Sequence, residues 1–133
     1  MAKGYAGLKR ELDKVFSEWV RRRAAGPSGL VACVSCGEVK HWKSQQAGHF
    51  ITRIRLGTRW EPRNVNPQCA RCNVMSGNVG GYARWLGTRY GMEVFDLLDA
   101  QSRTMVKYNR AELQERIDYY KAQLKCLPQT ISR

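Results

Sequence analysis

The sequence predicts a mostly helical α+β domain, in which a short strand–loop–strand–helix unit lies between an N-terminal helix and a set of C-terminal helices. Three observations lead there. Residues 5–24 carry an apolar stripe at helical spacing, helical patterns return over residues 82–125, and between them two C-x2-C pairs bracket a segment of short, turn-broken apolar runs. With 133 residues there is little chain for a second core, so residues 1–133 are read as one domain. Its parts are an N-terminal helix at 5–24, a stapled core at 30–79 and C-terminal helices at 80–125.

The staple is read from the cysteines. Cys33 and Cys36 form one pair, Cys69 and Cys72 the other, with 32 residues between the pairs. A two-residue gap lets both sulfurs of a pair reach one ion, and four thiolates satisfy the tetrahedral preference of zinc. The four cysteines are therefore expected to form one structural zinc site. Such a site is closed and cannot itself activate water, so any chemistry must come from side chains that it holds in place. Closing it draws His49, Asn64 and Asn73 toward one another. The fifth cysteine, Cys126, reads as a partly buried spectator near the end of the last helix.

In chain order, Leu8, Leu12, Val15, Phe16, Trp19 and Val20 make the stripe of the first helix. Its cations, among them Arg21, Arg22 and Arg23, read either as a solvated face complementing the helix C-terminus or as contacts to nucleic-acid phosphates. Ala25 to Gly29 then forms a loop. Short strands are expected at 30–35 and 39–42, with Gly37 allowing the turn after Cys36. His41 lies close behind that turn and reads as a packed or exposed side chain rather than a ligand. A longer strand is expected over 47–54, a loop over 55–59, and a partner strand over 63–68 with Pro67 at its edge or end. A helix should begin around 69–75. Beyond it, helices are expected over 82–90 and 92–100, divided at Gly91. An extended piece is expected at 104–106, and a last helix runs to about 125. Asn109 and Glu112 have the spacing of a capping box for that helix.

Charge narrows the function. The net charge is +12 and the pI about 9.9, which suggests a polyanionic partner, nucleic acid by default. Between residues 51 and 90 there are seven arginines, no lysine and a single acid, Glu61. A planar guanidinium grips phosphate bidentately, and a merely solvated face would mix both signs. Arg53, Arg55, Arg59, Arg63, Arg71 and Arg84 are therefore the candidate DNA contacts. The chain shows no signal-peptide pattern and no run of about 18 apolar residues, so no membrane role is expected, and cytoplasmic location, where thiols stay reduced, is.

His49, Asn64 and Asn73 now complete a pattern: Ala47-Gly48-His49, then Arg63-Asn64, then Cys69-x-x-Cys72-Asn73, then Ser76-Gly77-Asn78. Together with the Cys33-Val34-Ser35-Cys36-Gly37 opening and Val15 to Arg21, it resembles the NinG (Rap) recombination nucleases of lambdoid phages. These are HNH enzymes of the ββα-metal, or His-Me finger, fold. The arrangement of four cysteines followed by Cys-Asn is also similar to endonuclease VII-type junction resolvases. The resemblance covers roughly residues 8–90 and implies a ββα-metal core. It implies His49 as general base, Asn64 as the residue that steadies the loop and orients the histidine, and Asn73 as an oxygen ligand to a catalytic magnesium or manganese ion. It also implies a phage protein acting in a bacterial host, cutting branched DNA such as Holliday junctions, and working as a homodimer. Many HNH enzymes carry an Asp or His metal ligand just before the catalytic histidine. Here that residue is Gly48, which leaves the second protein ligand unidentified. A different class of function, a non-catalytic zinc-ribbon DNA-binding protein, needs the same cysteines and arginines but not His49 and Asn73 at the pinned hairpin.

Overall fold

The computed structural model describes residues 3–75 and 77–128. Ser76 of the Ser76-Gly77-Asn78 piece lies outside the described residues. Helix α1 spans Tyr5–Ala24, as its stripe predicts, and buries Leu8, Leu12, Phe16 and Val20. Opposite it lies α5, Arg110–Cys126, which contributes Leu113, Ile117 and Tyr120 to the same core. Phe16 meets Tyr120 edge-on at 4.8 Å between ring centroids, a favoured aromatic geometry. Asn109 caps α5 by accepting from the Glu112 N–H at 2.8 Å. Cys126 is exposed, not partly buried as expected, because the α5 stripe has ended one turn earlier.

Two antiparallel hairpins follow α1. In the first, β1 (Leu30–Ala32) pairs with β2 (Val39–His41). In the second, β3 (Gln46–His49) pairs with β4 (Val65–Gln68), in the register Gln46 to Gln68 and His49 to Val65. The β3–β4 hairpin lies between two helical cores. Ala47 and Val65 pack with the α1–α5 core, together with Trp60. Phe50 and Ile51 pack with a second core, made by Tyr82, Leu86, Val94 and Leu98. That second core belongs to α3 (Val79–Tyr90) and α4 (Glu93–Arg103). Both helices run longer than their apolar patterns: Asn78 caps α3 through the Gly81 N–H, and α4 continues to Arg103.

Three expectations for the hairpin are corrected. The strand expected over 47–54 stops at His49, because the Ile51 N–H is taken at 2.8 Å by the side-chain oxygen of Asn64 instead of by a ladder partner. Ile54 is consequently 81% exposed rather than inward. The loop expected at 55–59 contains a helical turn, α2 (Leu56–Arg59). The helix expected at the second cysteine pair is a five-residue π-helical segment, Arg71–Met75, separate from α3. No strand forms at 104–106.

The arginines ending α1 are structural ties. Arg23 donates to the carbonyls of Pro62 (2.6 Å) and Val65 (3.2 Å) and to Asn66 Oδ1, and its guanidinium lies 4.4 Å from the Trp19 ring centroid. Arg21 donates to the Trp42 carbonyl. Burial pushes both guanidiniums below their ordinary pKa. Nη2 of Arg23 reaches all three acceptors while the flat guanidinium lies over Trp19, and a shorter, non-planar lysine does not reproduce that stacking and reach together. Arg23→Lys should therefore cost about 1.5–3 kcal/mol, the range for hydrogen bonds to a charged group. The urea-unfolding midpoint checks this: it should fall for Arg23→Lys and move little for Arg84→Lys, whose side chain is exposed.

Candidate active site and metal centre

The cysteine sulfurs meet as expected. The Sγ atoms of Cys33, Cys36, Cys69 and Cys72 all lie within 4.8 Å of one another, and Cys36 and Cys69 are 3.7 Å apart. A tetrahedron with zinc–sulfur bonds of about 2.3 Å has edges of about 3.8 Å, so the cluster can hold a zinc ion. The tight turn after Cys33 builds the first half: Cys33 N donates to Glu38 O, Gly37 N donates to Cys33 O, and Gly37 adopts φ +84°. The end of β4 and the π-helical segment supply the second half. Without a cation the thiols divide, the neighbours favouring ionisation of Cys36 and opposing that of Cys69. Burial pushes Cys69 up to about 12, while a backbone hydrogen bond at Glu38 brings Cys36 down to about 7. A dication relieves that conflict. Asn78 Nδ2 donates to Cys72 Sγ at 3.4 Å, and Arg71 bonds the Cys36 sulfur, so nitrogen donors already face two of the four sulfurs. His41 takes no part; its Nδ1 accepts from the Lys43 N–H.

His49 ends β3 beside an open groove of about 400 Å³, lined by Ala47, His49, Phe50, Thr52, Arg53 and Asn73. Its Nε2 lies 2.9 Å from the Arg59 carbonyl. A carbonyl only accepts, so Nε2 carries the proton and Nδ1 keeps its lone pair. Burial holds His49 below the ordinary histidine range, partly opposed by the Arg59 carbonyl and the Asp13 charge. At neutral pH the imidazole is therefore neutral, with Nδ1 able to take a proton.

Asn64 is fully buried on the strand side of the same loop. Its Oδ1 accepts from Ile51 N, and its Nδ2 donates to the carbonyls of Ile51 and Thr58, both at 3.0 Å. One side chain thus ties Ile51 to Thr58, the residue just before Arg59. Asn73 sits on the π-helical segment, and its Nδ2 donates to Gln46 Oε1 at 2.7 Å. That bond occupies the nitrogen end of the amide, and a cation needs the oxygen end. The structure so brings His49 and Asn73 to one groove, with Asn64 behind them.

Gly48 is explained by close approach. A Cβ there would collide with Oε1 of Gln68, a buried side chain that donates to Ser35 Oγ at 2.7 Å. The backbone of β3 at this position faces the link to the cysteine turn, and a carboxylate has no room. Among the described residues no carboxylate lines the groove itself.

The arginines divide. Arg53 lines the groove and is 64% exposed, while Arg55, Arg71 and Arg84 are also exposed. Arg59 is only 11% exposed and forms a two-bond ion pair with Asp13, and Arg63 pairs with Glu61 at 3.0 Å. Two of the seven arginines between residues 51 and 90 are thus closely paired with acids, and Arg53 also lies 4.0 Å from Asp13, which is far away on α1. Sequence reasoning missed Asp13, Gln46 and Gln68. Gln46 had a signal, standing two residues before Gly48 on the predicted strand, and Asp13 had one as an acid beside the apolar stripe of a basic helix.

A family model, Bacteriophage Lambda NinG protein, matches residues 2–130 of the chain. No curated protein and no solved structure matches it.

Two tests address this geometry. Cys69→Ser should lose the bound metal and the order of the hairpin region, since structural zinc contributes folding free energy directly. Elemental analysis of the purified full chain is the check, and folded, metal-free wild-type protein would contradict the zinc assignment. Separately, Gly48→Ala should destabilise by about 1–3 kcal/mol through overpacking. The cost should shrink in a Gln68→Ala background, a coupling that a double-mutant cycle measures.

Proposed function

The chain belongs to the phage lambda NinG family, and on that footing we propose that it is a metal-dependent DNA endonuclease with an HNH-type, ββα-metal centre, acting on branched recombination intermediates such as Holliday junctions. The observation that carries the reading is the meeting of His49 and Asn73 at one groove, with His49 held in the tautomer that leaves Nδ1 free. The order β3, loop, β4, π-helical segment and α3 around that groove supports the ββα-metal assignment.

In this reading Cys33, Cys36, Cys69 and Cys72 hold a structural zinc ion, and Asn73 binds the catalytic cation through its amide oxygen. Magnesium or manganese there would supply charge for the scissile phosphate and the leaving oxygen. The protein does the rest. His49 Nδ1 takes a proton from the attacking water, and its lowered pKa keeps it free to do so at neutral pH. Asn64 holds the loop that orients the imidazole. Arg53, Arg55, Arg71 and Arg84 offer exposed charge for the DNA backbone, whereas Arg59 and Arg63 act within the protein. Two symmetric cuts across a junction call for a dimer. One observation favours the non-catalytic zinc-ribbon DNA-binding reading: among the described residues, no carboxylate lines the groove for the cation.

Cleavage of a synthetic four-way junction, with and without magnesium, separates the two. His49→Ala should keep zinc and DNA binding and lose about 10²–10⁴-fold in rate, with no recovery at high magnesium. Asn73→Ala should recover part of its loss at high magnesium or manganese. The acid limb of the wild-type pH–rate profile should lie below the ordinary histidine range, because burial disfavours the imidazolium. If both variants are folded and cleave at the wild-type rate, cleavage does not run through His49 and Asn73; if the wild type binds the junction and does not cut it with magnesium, the zinc-ribbon reading replaces this one.

A further inference from the structure

Asp13 stands one turn along α1 from the core residue Phe16, with Lys9 and Arg10 one turn before it, and it has three close donors. Its Oδ2 accepts from Arg59 Nη2 at 2.6 Å. Its Oδ1 accepts from Arg59 Nε and from the Trp60 indole N–H, each at 3.0 Å. Arg59 and Trp60 flank a single peptide, and the carbonyl of that peptide is the acceptor of the His49 Nε2–H. One carboxylate on a distant helix therefore grips the side chains on both sides of the group that sets the histidine tautomer. The grip is firm: Trp60 is 4% exposed, the Arg59 guanidinium stacks 5.2 Å from the Trp60 ring centroid, and Trp60 packs in the α1–α5 core. Asp13, His49, Arg53, Arg59 and Trp60 also line one small cavity of about 140 Å³, on the inner side of His49.

We propose that Asp13 is the positioning residue of His49: by clamping Arg59 and Trp60 it fixes the Arg59 carbonyl, and so holds the imidazole as the Nε2–H tautomer with Nδ1 toward the groove. The catalytic consequence rests on the endonuclease reading; the tautomer does not. The alternative role for Asp13 is a plain staple between α1 and the loop, which would cost stability when removed but leave the ring unaffected.

Charge and position can be told apart. The charged groups around His49 are Asp13 from α1 and Arg53 and Arg59 from the β3–β4 loop. The Asp13 charge favours the imidazolium and the Arg59 charge disfavours it. Asp13→Asn should therefore lower the His49 titration midpoint, and Arg59→Met should raise it. Both break the same clamp, so both should turn a single tautomer into a mixture.

The experiment is long-range proton–nitrogen NMR on the zinc-loaded full chain with labelled histidine. Only His41 and His49 contribute, and His41→Gln assigns them. The wild type should show His49 as the Nε2–H tautomer. The two variants should show mixed tautomers with midpoints displaced in opposite directions. A wild-type Nδ1–H tautomer overturns the proposal whatever the variants do. So does a folded variant of either kind that keeps the wild-type tautomer, even if its midpoint moves, because that is a field without positioning. Neither DNA nor magnesium is needed, so this outcome is separate from whether the protein cleaves DNA. If it does cleave, Asp13→Asn should lower kcat by about 10–100-fold through misplacement of the base, leave KM for the junction unchanged, and move the acid limb to lower pH.

Discussion

The closure of Cys33 and Cys36 onto Cys69 and Cys72 is the constraint on which the rest of the site depends. Strands of three or four residues cannot hold a hairpin in water by themselves. The cluster ties the turn of the first hairpin to the end of β4, and β4 then continues directly into the π-helical segment. That exit direction, set at the sulfurs, carries Asn73 back beside β3 to meet Gln46 and share a groove with His49. The first hairpin and β4 are also joined by ordinary hydrogen bonds, Val34 N to Pro67 O and Gln68 Nε2 to Ser35 Oγ. The closure is thus a four-cysteine cluster that could hold a zinc ion, embedded in a small polar joint.

Buried amides do much of the work usually left to apolar side chains. Asn64, Asn66, Gln45 and Gln68 are all buried, and every one bonds a backbone or hydroxyl group from another segment. Tyr82 adds to this set: its hydroxyl donates to the Gly48 carbonyl at 2.7 Å and accepts from Asn66 Nδ2. Buried amides in apolar surroundings are costly unless satisfied, and when satisfied they admit few alternative arrangements. The result is a hairpin whose loop is irregular in φ and ψ yet tied at both ends. Irregular backbone is what the site requires, since a regular strand through 50–54 would remove the Arg59 carbonyl from His49.

The basic character of the chain has two uses. Part of it is internal: Arg23 and Arg21 join α1 to the strands, and Arg59 joins the loop to α1 through Asp13. The remainder, including Arg53, Arg55 and Arg84, stays exposed around the groove or on α3. Fixed cations near His49 disfavour its protonation, and burial acts in the same direction. Among the described residues no helix is long and apolar enough to cross a membrane.

The sequence by itself determined α1 to the residue, the four-cysteine cluster, the division at Gly91 and the Asn109 cap, because each rests on local periodicity, spacing or a single backbone conformation. It also named His49, Asn64 and Asn73 as neighbours, since short covalent spacing to a closed staple leaves them few other places. Only the tertiary structure decided where β3 ends, because the competitor for its ladder is an amide thirteen residues away along the chain. Only the tertiary structure showed why Gly48 is bare, through the side chain of Gln68 across the hairpin. The same holds for the arginines. Arg53 and Arg59 look alike in sequence and both reach Asp13, which core packing brings from α1; what separates them is that Arg59 is 11% exposed and bonds it at 2.6 Å, whereas Arg53 is 64% exposed and 4.0 Å away. Pairings between segments far apart in sequence leave no local pattern, and those pairings set the histidine.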